Sequence, residues 1–392
     1  MVKWSTEENE MKAVIGGTVL TPEKTIENGI ILIKDGKIYD VGKNLEIPKD
    51  ACLIDAKGKY VTPGLVDGHS HVGMVTDGIE WDDSDVNDFY GPVTTQMRAV
   101  DAINLYDGGF DEALSGGVTT VYTGPGSSNV FGGIGAILKT YAKKKENMII
   151  KDFASIKMAL GPKRSRDTKT KTPYPTTRMG AVALARSTLQ RARDYLDGKL
   201  DPKTLDSDDA MIMEHLTELL NGNVLARIHT SNMPDEILAA VRIIDEFKIR
   251  ATIEHGFGSE HYADLLAEKG IPVIYGPVLM TKKRAGSRYI SDKTPGILSS
   301  RGVKTSIMTD NPLIPGKNLL LSAIIAAKNG MAPREALKAV TINPAESIGI
   351  GDRVGSIEIG KDGDLAIFSG HPLKVKTVVE KVLIDGEIVF QR

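Results

Sequence analysis

Two histidines one residue apart, His69 and His71, are the residues whose types and spacing first suggest chemistry. They follow a Pro63-Gly64 turn and the run Leu65-Val66-Asp67-Gly68. Side chains alternate along a strand with period two, so both imidazoles fall on one face. Neutral imidazole binds zinc, copper, iron or nickel, yet a catalytic zinc commonly takes three protein ligands and a water. A lone pair of this kind is as well explained by hydrogen-bonded strand histidines. It gains meaning only if other strands bring further ligands to the same place.

Three later strands do so. Val224-Leu-Ala-Arg-Ile ends in His229, Arg250-Ala-Thr-Ile-Glu ends in His255, and Val303-Lys-Thr-Ser-Ile-Met-Thr ends in Asp310. A fourth, Ile271 to Gly276, carries no acid or histidine. Each residue has a structural explanation by itself: Asp310 before Asn311-Pro312 can start a turn, and His229 before Thr230-Ser231 can be a satisfied polar group. Together they resist it, because His69, His71, His229 and His255 are four of the chain's 7 histidines. His215, His261 and His371 fall on helices or in a loop and need no special role.

The elements that must position these residues alternate strand with helix, the pattern of parallel βαβ units. A helix ends at Asp111 to Gly117, and Val118 to Tyr122 reads as the strand after it. Helices are expected at Ala181 to Asp197, Asp208 to Leu220, Asp235 to Phe247 and Leu319 to Lys328. In the third of these, Ile237, Leu238, Val241, Ile244 and Phe247 fall near helical spacing, and two acids oppose the dipole at its start. In a parallel α/β barrel the C-terminal strand ends meet on one face, where active sites are built. The glycine-rich stretch Gly124 to Gly133 reads as a loop on that face and matches no phosphate-binding fingerprint. Phe153 to Leu160 reads as a short strand containing Lys157, and Lys163 to Arg178 as a long basic loop. Arg178 is a candidate clamp for a substrate carboxylate, with an ordinary surface arginine as the competing reading. Tyr275 is placed in the same way between binding a polar substrate tail and packing.

The two ends differ from the middle. Gly29 to Lys34 and Lys37 to Val41 flank Asp35-Gly36, and Lys381 to Ile384 and Glu387 to Phe390 flank Asp385-Gly386. Asp-Gly between β-branched runs is a hairpin signal, since the turn needs positive φ. The expected organisation is therefore a loose extension over 1–10, a composite β-sandwich from 11–62 and 350–392, and a barrel over 63–349.

At 392 residues with 41% apolar content, the chain can bury a large core. A net charge of -2 excludes the basic excess of a nucleic-acid binder. Lys143-Lys144-Lys145 and Lys282-Lys283-Arg284 read as solvated surface. The single cysteine, Cys52, excludes an intramolecular disulfide and any cysteine-rich metal site. The polar, acidic first ten residues lack a signal-peptide core, and no uncharged apolar run approaches the ~20 residues a membrane helix needs. The expectation is a cytoplasmic protein acting on a small molecule, without nucleic-acid or membrane partners.

On these residues the chain resembles the amidohydrolase superfamily, in its imidazolonepropionase-like branch. The resemblance is carried by Val61 to His71, Ala113 to Thr120, His229, His255, Ser306 to Asp310, Thr341 to Ala345 and Asp352 to Asp364, and covers Met11 to the C-terminus. It implies a distorted (β/α)8 TIM barrel with a small β-sandwich from both termini, and a hydrolase of amide or other C–N bonds. It also implies that His69, His71, His229 and Asp310 hold one or two divalent ions, with zinc expected, and that His255 binds a second metal or the substrate oxygen. Asp310 becomes the proton carrier and His255 the oxyanion stabiliser. Relatives form dimers or larger assemblies, so a homo-oligomer is consistent with it.

Two positions depart from the family pattern. Deaminases and imidazolonepropionase place a glutamate three residues after the histidine matching His229, where this chain has Asn232. Asn carries no proton at neutral pH, which disfavours deamination and imidazolone ring opening as the alternative activity. Binuclear relatives bridge two metals with a carboxylated lysine on the fourth strand, where Lys157 falls, although a lysine reaching the surface is the simpler account. Glu254 is expected on the face of its strand opposite His255, in a structural role. A barrel scaffold without activity is the remaining alternative, opposed by the retention of all four proposed ligands.

Overall fold

The structure, a computed structural model, describes residues 11–76, 84–89, 91–161, 171–280 and 286–392. The expected extension over 1–10, the first half of the basic loop and the Lys282-Lys283-Arg284 run lie outside the described residues.

The chain opens with β1 (Lys12–Leu20), β2 (Thr25–Lys34), β3 (Lys37–Gly42), β4 (Cys52–Asp55) and β5 (Tyr60–Pro63). β1, β2 and β3 form an antiparallel meander, and β4 and β5 lie parallel to β1. The turn between β2 and β3 puts Asp35 at φ 51 and Gly36 at φ 73, the left-handed pair that the Asp-Gly dipeptide signals.

A second sheet follows. Its strands are β6 (Leu65–Ser70), β7 (Val118–Thr123), β8 (Phe131–Lys139), β9 (Ile149–Ala159), β10 (Leu225–Thr230), β11 (Ala251–His255), β12 (Val273–Tyr275) and β13 (Thr305–Ile307). Each neighbours the next, as in a barrel, and all pairings are parallel except those of β8, which runs antiparallel to both β7 and β9. That reversal is the distortion. It also shortens the glycine-rich loop, because Phe131, Gly132 and Gly133 already belong to β8, and it starts β9 at Ile149, earlier than the apolar run suggested.

Helices cover the connections: α1 (Gly108–Ser115), α2 (Arg178–Leu196), α3 (Ser207–Leu220), α4 (Asp235–Phe247), α5 (Ala263–Glu268), α6 (Thr294–Ser300), α7 (Leu319–Lys328), α8 (Pro333–Lys338) and α9 (Ile342–Ser347). α4 has the bounds read from its apolar spacing, and buries Ile237, Val241 and Phe247. α2 begins earlier than expected because Thr177 caps it, accepting from the Gly180 N–H at 3.0 Å. Finally β14 (Leu365–Phe368), β15 (Val379–Ile384) and β16 (Glu387–Gln391) rejoin the first sheet, with β14 antiparallel to β5. Lys139, at the end of β8, is buried against Asp362 at 2.8 Å and Asp364 at 2.5 Å, which ties the barrel to this returning chain.

The barrel sheet closes where β6 meets the segment after β13. The Asp310 N–H donates to the His69 carbonyl at 3.1 Å and the His71 N–H to the Asn311 carbonyl at 2.9 Å. Beside them the Thr309 hydroxyl donates to Asp67 at 2.5 Å.

Inside the barrel, Tyr122 of β7 is buried and accepts from the Ser155 hydroxyl at 2.9 Å. Its phenol fits only because β8 carries a glycine opposite: a Cβ on Gly135 would lie 1.9 Å from the Tyr122 oxygen. Gly135→Ala should therefore lower stability to urea by about 1–3 kcal/mol through overpacking. Adding Tyr122→Phe, which removes the clashing oxygen, should recover part of that loss. An additive double variant would show that the clash is not what costs stability.

Candidate active site

The five residues expected to do chemistry lie at the C-terminal ends of β6, β10 and β11 and just beyond β13. His69, His71, His255 and Asp310 are buried, and His229 is half-buried. Ligand atoms of His69, His255 and Asp310 lie within 4.8 Å of one another. His69 Nε2 and His71 Nε2 stand 3.3 and 3.4 Å from the same oxygen of Asp310, Oδ1. His255 faces the other oxygen, with Nδ1 3.9 Å from Oδ2. His229 stacks edge-on against His255, with ring centroids 4.3 Å apart. Its Nε2 meets the Ser231 hydroxyl at 2.6 Å.

The partners of the ring nitrogens fix their protons. His71 Nδ1 lies 2.7 Å from the Gly124 carbonyl and His255 Nδ1 lies 3.0 Å from the Gly276 carbonyl. A carbonyl only accepts, so each Nδ1 carries the hydrogen and each Nε2 a lone pair. His69 Nδ1 donates to the Glu254 carboxylate at 2.5 Å, and its Nε2 faces Asp310. That buried Nε2 makes no hydrogen bond.

The charges agree with this assignment. Burial holds the His71 imidazole below its ordinary value and pushes His255 down to about 3, so both are neutral. Burial would raise Asp310, but the facing histidines outweigh it and hold the carboxyl well below its usual range. An ionised carboxylate beside buried imidazoles, with His71 and His255 neutral, is a donor set that fits a divalent cation.

Backbone conformation brings the last two residues inward. His255 at φ 65 and Asp310 at φ 55 are left-handed, which is uncommon for residues with a Cβ and concentrates at functional sites. The turn at His255 breaks the alternation of β11, so Glu254 and His255 both face the interior. This corrects the expectation that Glu254 points away. Its carboxylate is buried between His69, Thr252 and Arg227, with Arg227 Nη2 at 2.7 Å. Burial would raise Glu254, but the Arg227 guanidinium and His69 hold it well below the carboxylate range.

Lys157 requires a second correction. It is 1% exposed, inside the barrel rather than at the surface, opposite Arg227 in the β9–β10 register. Strand alternation puts it on the inward face, and its charge is felt at Glu254 and Asp310. Tyr275 resolves as packing: its hydroxyl donates to the Ser291 carbonyl at 3.0 Å and accepts from the Ser291 N–H at 2.9 Å. Arg178 is exposed at the start of α2. Asn232 is held by α4, its side-chain amide donating to Glu236 Oε1 at 3.0 Å while Oε2 accepts from the Ser231 and Asn232 N–H groups at 3.0 and 3.1 Å. Glu236, Arg227 and the Asp67–Thr309 pair were not singled out from the sequence. Of these only Arg227 carried a signal, as a charge in an otherwise apolar strand.

Burial pushes Lys157 down to about 8 from 10.5, with Glu254 and Asp310 opposing the shift and Arg227 adding to it. Below pH 8 the folded and unfolded chains both keep the proton, and the cost of the buried ammonium is felt in full. Above it the folded chain deprotonates first, so this contribution to stability rises with pH until the unfolded lysine also titrates. Between about pH 7 and 9.5, in buffer free of CO2, the wild type should gain roughly 2 kcal/mol on Lys157→Met by urea denaturation. A difference that stays flat would show that no free, buried amine titrates there.

Comparison with known proteins points one way. The model of the amidohydrolase family matches residues 60–389. The crystal structure of an amidohydrolase from Thermotoga maritima MSB8 is 35% identical, with a TM-score of 0.89 over 97% of this chain and 100% of that one. Amidohydrolase tasK of Hapsidospora irregularis is 28% identical over 98% of this chain, which spans 41% of that longer protein. An imidazolonepropionase of Alkaliphilus metalliredigens is 27% identical over 94% of this chain and 91% of its own length. A prolidase complexed with N-methylphosphonate-L-proline shares the fold, at 19% identity and a TM-score of 0.60 over 97% of this chain and 100% of that one. The chain thus belongs to the amidohydrolase family, metal-dependent hydrolases acting on carbon–nitrogen bonds.

Proposed function

We propose that this protein hydrolyses an amide, peptide-like or cyclic amide bond of a small molecule, with zinc held by His69, His71, His229, His255 and Asp310. The observation that carries this reading is the buried His69 Nε2, without a hydrogen bond and 3.3 Å from Asp310 Oδ1. His69 and His71 stand beside one oxygen of Asp310, His255 faces the other and His229 packs on His255, donors that would serve one or two ions. Lys157, buried within reach of their charges, could as a carbamate formed with CO2 supply a further carboxylate ligand to a second ion. A single cysteine suits a reducing cytoplasm.

A bound divalent ion supplies a Lewis acid that polarises the scissile carbonyl and acidifies water. Asp310 takes the proton from the attacking water and delivers it to the leaving nitrogen as the C–N bond breaks, giving a carboxylate and an amine. Of the two roles expected for His255, its tautomer supports ligation: with the Nδ1 hydrogen given to Gly276, Nε2 has no proton to offer an oxyanion. Asn232, turned onto Glu236, has no proton for a ring nitrogen or departing ammonia, which keeps deamination and imidazolone ring opening in second place despite the imidazolonepropionase relatives.

Protein purified without chelator should carry two divalent ions per chain by elemental analysis, and Lys157→Ala one or none. A single ion in both would remove that role for Lys157. Against a panel of dipeptides, N-acyl amino acids and cyclic amides, chelation should abolish turnover and zinc restore it. In a metal-loaded Asp310→Asn variant kcat should fall about 10²- to 10⁴-fold. Ammonia release from amino-purines, or turnover of imidazolone propionate alone, would overturn the amide reading.

A further inference from the structure

The pair Arg227 and Glu254 is wholly buried and contacts His69 rather than Asp310. Its contacts converge on one ligand. Glu254 Oε2 accepts from His69 Nδ1 at 2.5 Å and from Arg227 Nη2 at 2.7 Å. The same Arg227 nitrogen donates to the carbonyl of Gly68, the residue before His69, at 2.5 Å, and stands 3.5 Å from His69 Nδ1. One guanidinium nitrogen therefore locates both the backbone that carries the imidazole and the carboxylate that orients its ring. The guanidinium is itself fixed, stacked 3.7 Å above the Tyr122 ring, and Thr252 donates to the other oxygen of Glu254. At His71 and His255 the Nδ1 faces a main-chain carbonyl instead of a carboxylate.

We infer that Arg227 and Glu254 are positioning residues for His69, holding its ring in the Nδ1–H tautomer with Nε2 aimed beside Asp310, so that His69 is the preorganised ligand around which the metal centre assembles. The inference rests on the metal-centre reading above. It follows from the rule that carboxylate partners of ligating imidazoles set ring orientation and basicity, with losses of about 10- to 100-fold in metal affinity when removed. Arg227 adds what a carboxylate alone lacks, a tie between the ring's partner and the ring's own strand.

The test measures zinc affinity by competition with a chromophoric chelator in the full-length protein. Glu254→Gln should weaken zinc binding about 10- to 100-fold, and Arg227→Lys, which loses the planar stack, should weaken it in the same direction. In a His69→Ala background Glu254→Gln should change affinity by less than about twofold, because the ring it acts through is gone. An equal loss in both backgrounds would mean that Glu254 supports the barrel at large, and would overturn the inference. Should Glu254→Gln fail to fold, nitrogen-15 spectra of labelled histidine in the zinc-loaded wild type decide instead. A proton on His69 Nδ1 supports the assignment and a proton on Nε2 overturns it. Wild-type protein that takes up no zinc would overturn the metal-centre reading itself, and this role with it.

Discussion

The candidate active site depends on the seam where β6 meets the chain beyond β13. His69 and Asp310 are remote in sequence, and main-chain hydrogen bonds from Asp310 and His71 across the seam make them neighbours. Loop-closure entropy grows only with the logarithm of the intervening length, so a junction this distant is entropically affordable once the strands between are in place. Asp67 reinforces it at some expense: burial raises its carboxyl to about 6 although Thr309 and two backbone N–H groups bind it. The seam thus accepts a poorly solvated acid that registers β6 against the segment after β13.

Barrel interiors are ordinarily filled by layers of branched apolar side chains. Here Arg227, Glu254, Lys157 and Asp67 occupy interior positions, and all four are within 1% of complete burial. Buried ion pairs of this kind add little net stability, because desolvation offsets attraction, but breaking one is costly. What they provide is direction. The guanidinium, pinned between Tyr122 and Glu254, and the glycine at 135 that makes room for that tyrosine connect a backbone requirement on β8 to the orientation of an imidazole on β6.

Much of the architecture was legible in the sequence. The Asp-Gly hairpins, the alternation of strand and helix, the apolar stripe of α4 and the polar strand ends each rest on local patterns with a direct physical cause, and the resemblance joined them into one barrel. Three features were not legible. The reversal of β8 was hidden because Phe131 to Leu138 is glycine-rich and shares no period that separates a parallel strand from an antiparallel one. Glu254 was misplaced because alternation holds only until a residue leaves the β region, and His255 does so at the strand's last position. Lys157 was sent to the surface because lysine seldom buries without a partner, and the charges around it come from strands far away in sequence.

The pairing of β5 with β14 bears on how the polypeptide is made. Pro63 lies opposite Leu365, and Lys139 is neutralised by Asp362 and Asp364. During synthesis the first five strands leave the ribosome long before β14, so the β5 edge has no strand on that side and Lys139 no carboxylates until the segment from Asp362 to Phe368 has been made. Such late, non-local pairing slows folding and leaves a sheet edge open to other chains in the interval. The first sheet thus cannot be completed until the barrel strands between its two parts have been made.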